Sequence, residues 1–229
     1  MAVTQSPLTS DANTANQTSY DTASISPGSN RLVLVAVMNF GTGSSPNTPT
    51  LSGNGLTYQL IDSQLYQSDF IRLSLFRSMG ASPSSGAITI DFAGQTQDSC
   101  HWAVSEFSGV NTTGTHGSGA IVQGAKAAPT STTTGLATLA AFADAANATF
   151  GCFAINAAGA GLITPGSGFT EIYEVSTGQR NLQTEWKDTA DTSVDATASS
   201  TNWAVIAVEI ASGGAASVPF RRALLGVGV

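Results

Sequence analysis

The chain reads as two similar halves in tandem, and this repeat constrains the fold more than any other feature. The first half runs through Leu32-Val33-Leu34-Val35-Ala36-Val37, Gly53-Asn54-Gly55-Leu56-Thr57 and Trp102-Ala103-Val104, and closes at Glu106-Phe107-Ser108-Gly109. The second runs through Ala148-Thr149-Phe150-Gly151-Cys152-Phe153-Ala154-Ile155, Gly166-Ser167-Gly168-Phe169-Thr170 and Trp203-Ala204-Val205, and closes at Glu209-Ile210-Ala211-Ser212-Gly213. The order of elements is the same: an apolar strand, a Gly-x-Gly-apolar-Thr turn, polar strands, and a Trp-Ala-Val strand. A unit this long is not a solenoid repeat, whose period is roughly 20–50 residues. It predicts an all-β fold, an antiparallel, jelly-roll-like β-sandwich made of two pseudo-repeated halves.

Each half alone would sit close to the size at which a single core is marginal, so burial shared between the halves is expected. The expected organisation is one sandwich domain over residues 30–212, with half-repeats at about 30–110 and 135–212. Residues 1–29 are expected as an N-terminal arm or edge strand, and 213–229 as a C-terminal interaction arm.

Period-two alternation marks the strands. Residues 31–40 are mostly apolar, as in a central strand. Strands are expected at about 56–65, 70–78, 86–93 and over His101–Phe107. In the second of these, Ile71, Leu73 and Leu75 share one face, while Phe70, Arg72, Ser74 and Phe76 share the other. Residues 111–134, rich in Gly, Thr and Ser, are expected as a long connection of functional or mobile character. Residues 136–142 are ambiguous, because their alanines favour helix and their context favours strand. The second half repeats the pattern near 148–156, 169–176, 180–188, 193–198 and 202–211. Within 180–188, Gln183, Glu185 and Lys187 alternate with Leu182, Thr184 and Trp186, which predicts a half-exposed strand.

Charge narrows the function classes. The 8 basic residues are outnumbered by 15 acidic ones, for a net charge of -7, and the only lysines are Lys126 and Lys187. Phosphate contacts need clustered Lys and Arg, so nucleic acid is not an expected partner. No apolar run is long enough to span a bilayer, so no membrane partner is expected. The N-terminus lacks the basic and apolar regions of a secretory signal, so synthesis in a cytoplasm is expected. Cys100 and Cys152 lack metal-ligand spacing and read as buried thiols acting as small apolar residues; a disulfide requires neighbouring strands.

No catalytic constellation stands out, and no catalytic, cofactor-binding or metal-binding residue is assigned. His101 reads as a surface or half-buried strand residue. His116, in Thr115-His116-Gly117-Ser118-Gly119, lies beside a serine without the Gly-x-Ser-x-Gly elbow. Asp62, Asp69, Glu106, Glu171, Glu174 and Glu185 offer paired carboxylates of the kind glycoside hydrolysis uses, but sequence singles out no pair. Asp188, Asp191 and Asp195 are loosely spaced for calcium and do not form an EF-hand loop. Trp102 and Trp203 occupy matching places and read as core or rim residues rather than sugar platforms.

Residues 213–229 fall outside the repeat. Gly213-Gly214-Ala215-Ala216-Ser217 reads as a linker, followed by an apolar segment with two arginines. Phe220, Arg221, Arg222, Leu224 and Leu225 are the candidate partner-binding residues, since an apolar arm can add a strand to a partner or fill its groove.

The run Asn30-Arg31-Leu32-Val33-Leu34-Val35, the Gly53-Asn54-Gly55-Leu56-Thr57 turn and the strand Val104-Ser105-Glu106-Phe107-Ser108-Gly109-Val110 carry a resemblance. They resemble β-sandwich modules of tailed-phage structural proteins and bacterial surface proteins, closely over residues 30–110 and more loosely in the second half. The chain departs from that pattern by having Gly-Asn-Gly in place of a simple Gly-Gly turn, and by its C-terminal tail. The resemblance implies a sandwich fold and carries no catalytic residues. Together with the low charge and the apolar arm, it leads to the expectation of a virion structural protein, foremost a capsid decoration (cement) protein. Its expected partners are the major capsid protein or other virion proteins and further copies of itself. The alternatives are a head or tail fibre component, or a carbohydrate-binding adhesion module with a host surface glycan as partner. No cofactor is expected.

Overall fold

A computed structural model describes residues 2–41, 43, 45–157, 159 and 161–214. Among them the chain is all β apart from one turn of 3-10 helix at Ser118–Ala120. The first half contributes β1 (Thr4–Asn13), β2 (Ser19–Asp21), β3 (Leu32–Gly41), β4 (Thr50–Gly53), β5 (Leu56–Thr57), β6 (Gln59–Tyr66), β7 (Ile71–Ser78), β8 (Ile88–Asp91) and β9 (Gln97–Ser108). The second contributes β10 (Ile121–Ala127), β11 (Thr132–Thr138), β12 (Ala148–Ile155), β13 (Thr164–Pro165), β14 (Thr170–Thr177), β15 (Arg180–Lys187), β16 (Ser193–Thr201) and β17 (Trp203–Ile210).

The strands form four sheets, and the topology of one half reproduces that of the other. The five-stranded sheets run β1-β9-β3-β7-β6 and β10-β17-β12-β15-β14. The smaller sheets run β2-β8-β4-β5 and β11-β16-β13. Each half therefore makes its own two-sheet sandwich, and the expected single pair of sheets is replaced by four layers. The shared burial lies elsewhere, where the two five-stranded sheets pack face to face. Across this seam β1 meets β14 as β10 meets β6, and β9 meets β14 as β17 meets β6. Exchanging the halves turns one contact of each pair into the other, so the molecule is an intramolecular pseudo-dimer with an approximate dyad.

Alternation distributes the apolar side chains over three cores. On β3, Leu34, Ala36 and Met38 face the seam, while Val33, Val35 and Val37 face the first sandwich. On β17, Ala204, Ile206 and Val208 face the seam, while Trp203 and Val205 face the second sandwich. The seam is centred on Phe107, whose ring meets Phe150 and Trp186 edge-on at centroid distances of 5.9 and 6.1 Å. Edge-to-face aromatic pairs contribute about 0.5–1.5 kcal/mol beyond their area. Trp102 and Trp203 are both buried, each inside its own sandwich, as expected of core residues.

Register fixes the true correspondence of the halves. Trp102 lies beside Val37, and Trp203 beside Ile155. Counting from those anchors places Glu106, opposite Val33, in the row where Ala207 lies opposite Gly151. The two closing glutamates, Glu106 and Glu209, are thus not equivalent.

Residues 1–29 are built into the body: β1 pairs with β9 along its length and β2 pairs with β8. Residues 111–134 are not a loop throughout, since they hold the helical turn, β10 and the start of β11. The edge strand β10 alternates half-buried and exposed residues. Of the ambiguous residues 136–142, 136–138 end strand β11 (Thr132–Thr138), whose pairing with β16 outweighs alanine's helix preference, and 139–142 are neither strand nor helix. The expected half-exposed strand 180–188 is buried on both faces from Asn181 to Glu185.

All four edge strands of the five-stranded sheets carry a register shift, at Pro7/Thr9, Leu60/Asp62, Ile121/Gln123 and Glu171/Tyr173. Bulges at edges oppose unplanned strand pairing. Where the first half ends, Gly109 adopts φ +70°, and a Cβ there would meet the Ala2 carbonyl oxygen at 2.1 Å. Only glycine allows that turn against the N-terminus.

Phe107→Ala is expected to lower the unfolding free energy by about 3–5 kcal/mol. Urea titration checks this, and a variant within about 1 kcal/mol of wild type would show that the seam is not a packed core.

Candidate functional site

Two of the polar contacts across the seam are related by the pseudo-dyad. His101 and Asn202 occupy matching positions, each directly before the buried tryptophan of its half, and each side chain points across the seam to a hairpin of the opposite half. His101 Nε2 is 2.7 Å from Thr177 Oγ1, at the end of β14. Asn202 Nδ2 donates to Gln67 Oε1 at 2.8 Å, in the β6–β7 turn. That turn holds Gln67, Ser68 and Asp69 at φ 53°, 55° and 65°. Side chains rarely adopt three left-handed conformations in a row, and the contact to Asn202 helps to hold them.

His101 is fully buried, contrary to the surface or half-buried position expected from sequence. The alternation of β9 sends it inward with Ala103 and Phe107. Beside it, Arg180 donates from Nη1 to Ser99 Oγ at 3.2 Å, and its guanidinium covers the Phe40 ring at 3.8 Å. Burial and then the Arg180 charge hold the His101 pKa down at about 4. The Thr177–His101 contact has the reach of a nucleophile–base pair. His101 Nδ1 has no hydrogen-bond partner to orient the ring, so the geometry is that of an interlock between halves.

The other sequence candidates separate in space. His116 sits in the turn before the 3-10 helix at φ 52°, its carbonyl accepting from Arg77 Nη1 at 2.7 Å. Cys100 and Cys152 are free and buried in different cores, the first sandwich and the seam, and burial pushes both thiols up in pKa. Asp62 pairs with Lys126 across the seam at 2.6 Å. Asp191 pairs with Lys187 at 2.7 Å and accepts from the Ser193 amide. Glu171 and Glu185 do come together, directly opposite each other on β14 and β15. Sequence spacing could not reveal this, because it depends on a hairpin register. Among the described residues, no group of three or more His, Cys, Asp or Glu side chains forms a metal site.

Two surface features remain. A shallow polar recess of about 500 Å³ is lined by Asn16, Gln17, Thr18, Ser19, Asp21 and Thr96. At the other boundary of the body, Gly213 N donates to Gly109 O at 2.6 Å, and Val110 bridges Ser212. The candidate partner-binding residues Phe220, Arg221, Arg222, Leu224 and Leu225 lie outside the described residues.

Comparison with protein-family models, with curated proteins and with solved structures finds no match to this chain.

His101 makes stability depend on pH with a definite sign. Unfolded, it takes a proton near 6.5; folded, it resists until about 4. Stability is therefore lost as pH falls through that window, by up to about 3 kcal/mol. Glu185, pushed up to about 8, acts oppositely, its contribution being lost as pH rises from 4.5 to about 8. The difference between wild type and His101→Gln isolates the histidine. Urea unfolding should show wild type losing stability relative to the variant between pH 6.5 and 4, and parallel profiles would refute the assignment.

Proposed function

We propose that the protein is a virion structural protein of a tailed bacteriophage, acting as a capsid decoration (cement) protein that stabilises the head by contacts between subunits. The observation that carries this reading is the fixed departure point of the C-terminal segment. Gly213 is held against Gly109 at the seam, so the segment bearing Phe220, Leu224 and Leu225 starts from a defined position on a body whose large sheets have bulged edges. A compact body followed by an apolar segment suits attachment to a repeating surface. Burying a few such side chains contributes several kcal/mol at ~25 cal/mol per Å², before ordering costs are subtracted. Repetition over a shell multiplies the effect through avidity. The resemblance of residues 30–110 to phage and bacterial-surface modules supports the same reading.

A carbohydrate-binding adhesion module is the second reading, favoured by the recess at Asn16–Ser19. Its amide, hydroxyl and carboxylate groups match the donors and acceptors of a sugar.

The test is the copy number of the polypeptide in purified particles, for the full chain and for a truncation after Gly214 that keeps the Gly213–Gly109 contact. High copy number that collapses on truncation is the expected result. Absence from particles, with glycan binding lost in Asn16→Ala and Thr18→Ala variants, would replace this reading by the second.

A further inference from the structure

Three glutamates are buried in this molecule, and two of them have both oxygens answered. Glu106 accepts from Arg31 Nη1 at 2.5 Å and from the Gly28 amide at 2.8 Å. Glu209 accepts from Asn147 Nδ2 at 2.5 Å and Gln123 Nε2 at 2.6 Å. Glu185, with 0% exposure, differs. Its Oε2 has only long contacts, to the Gly166 amide at 3.2 Å and Gln183 Nε2 at 3.3 Å, and its Oε1 has no partner.

Glu185 is part of a row. Asn181, Gln183 and Glu185 alternate along β15 on the face turned to the second sandwich, and all three are fully buried. Each carries one oxygen without a partner: Asn181 Oδ1, Gln183 Oε1 and Glu185 Oε1. A buried acceptor left unsatisfied costs about 1–3 kcal/mol, more if charged. Three in a row therefore require an answering group.

The fold itself does not require this row. Register places Ser74, Phe76 and Ser78 at the corresponding positions of the first half, opposite Val37, Val35 and Val33. There a phenyl ring fills the place of Gln183. The small sheet of the second half also has three strands where the first has four. Glu171, opposite Glu185, is exposed and lies on the solvent side of the buried row.

The charges facing the row are mostly negative. Glu171 and Glu174 come from β14 and Asp195 from β16. Glu174 Oε1 accepts the Leu162 and Ile163 amides at 2.9 and 3.2 Å. Lys187, next on the same face of β15, is engaged by Asp191. Gly166 approaches so closely that a Cβ would meet the Asp195 carbonyl oxygen at 2.2 Å, and this brings its amide to Glu185. Carboxylate and amide oxygens with no soft donor select a hard cation. Calcium takes 6–8 oxygens in flexible geometry, whereas magnesium demands a regular octahedron.

We propose that the β14–β15 hairpin holds a calcium ion, with Glu185 and Gln183 as inner oxygen ligands, Glu171 as the carboxylate at its solvent side, and water completing the shell. Two carboxylates and an amide make a weak site, with a dissociation constant of about 10⁻⁴–10⁻³ M, as in extracellular modules. The inference is independent of the virion reading.

The test uses the full chain, with calcium chloride as the probe and magnesium chloride and sodium chloride at matched ionic strength as controls. At about pH 8.5, about 10 mM calcium should raise the melting midpoint by about 3 °C. Isothermal titration should show a single weak site. Glu185→Gln should fold, because its amide keeps the shape and removes a buried acid, and it should lose the calcium response. Asp62→Asn, at the seam salt bridge, should keep it. No calcium-specific shift in wild type at pH 8.5, or an unchanged response in folded Glu185→Gln, would overturn the proposal.

Discussion

Everything in this structure depends on the face-to-face burial of the two five-stranded sheets. The core of each half is smaller than the cluster at the seam, and one sandwich is closed by strands of two to four residues, the other by a sheet of three strands. Each large sheet has a second apolar face that would otherwise meet water. Turning those faces onto each other buries Leu34, Met38, Leu73, Phe107, Phe150 and Ile206 in one cluster. The arrangement has the logic of an isologous dimer interface placed within a single chain.

The approximate dyad also explains the polar contacts at the seam. Two residues before matching tryptophans reach hairpins of the opposite half, His101 to Thr177 and Asn202 to Gln67. The pair is equivalent in position and different in chemistry. The histidine version titrates and the amide version does not, so the two related contacts respond differently to acid.

Much of the fold was legible in the sequence because period two and the Trp-Ala-Val repeat are local signals. The apolar runs at β3 and β12 and the alternation of β7 appear in the structure within a residue or two of where pattern places them. Three things were not legible. The pairing of four sheets depends on which apolar face meets which, and both faces of β3 are equally apolar. The strand β10 hides in a Gly- and Ala-rich stretch whose one-sided burial leaves only a faint alternation. The interior position of Gln183 and Glu185 contradicts the ordinary reading of alternating polar residues, because that reading assumes the polar face is the wet one. His101 was misplaced for the same reason. Sites where the local rule fails are where a scaffold departs from what folding alone requires, and β15 is such a place, since it buries Gln183 and Glu185 where its counterpart β7 has Phe76 and the small Ser78.

The central claim is that the seam makes two sandwiches into one cooperative unit. Differential scanning calorimetry of the full chain in calcium-free buffer tests it most directly. The account predicts a single endotherm whose calorimetric and van't Hoff enthalpies agree, with a ratio of about one. Two resolved transitions, or a ratio near two, would mean that the halves unfold independently and that the seam is a contact between self-sufficient domains.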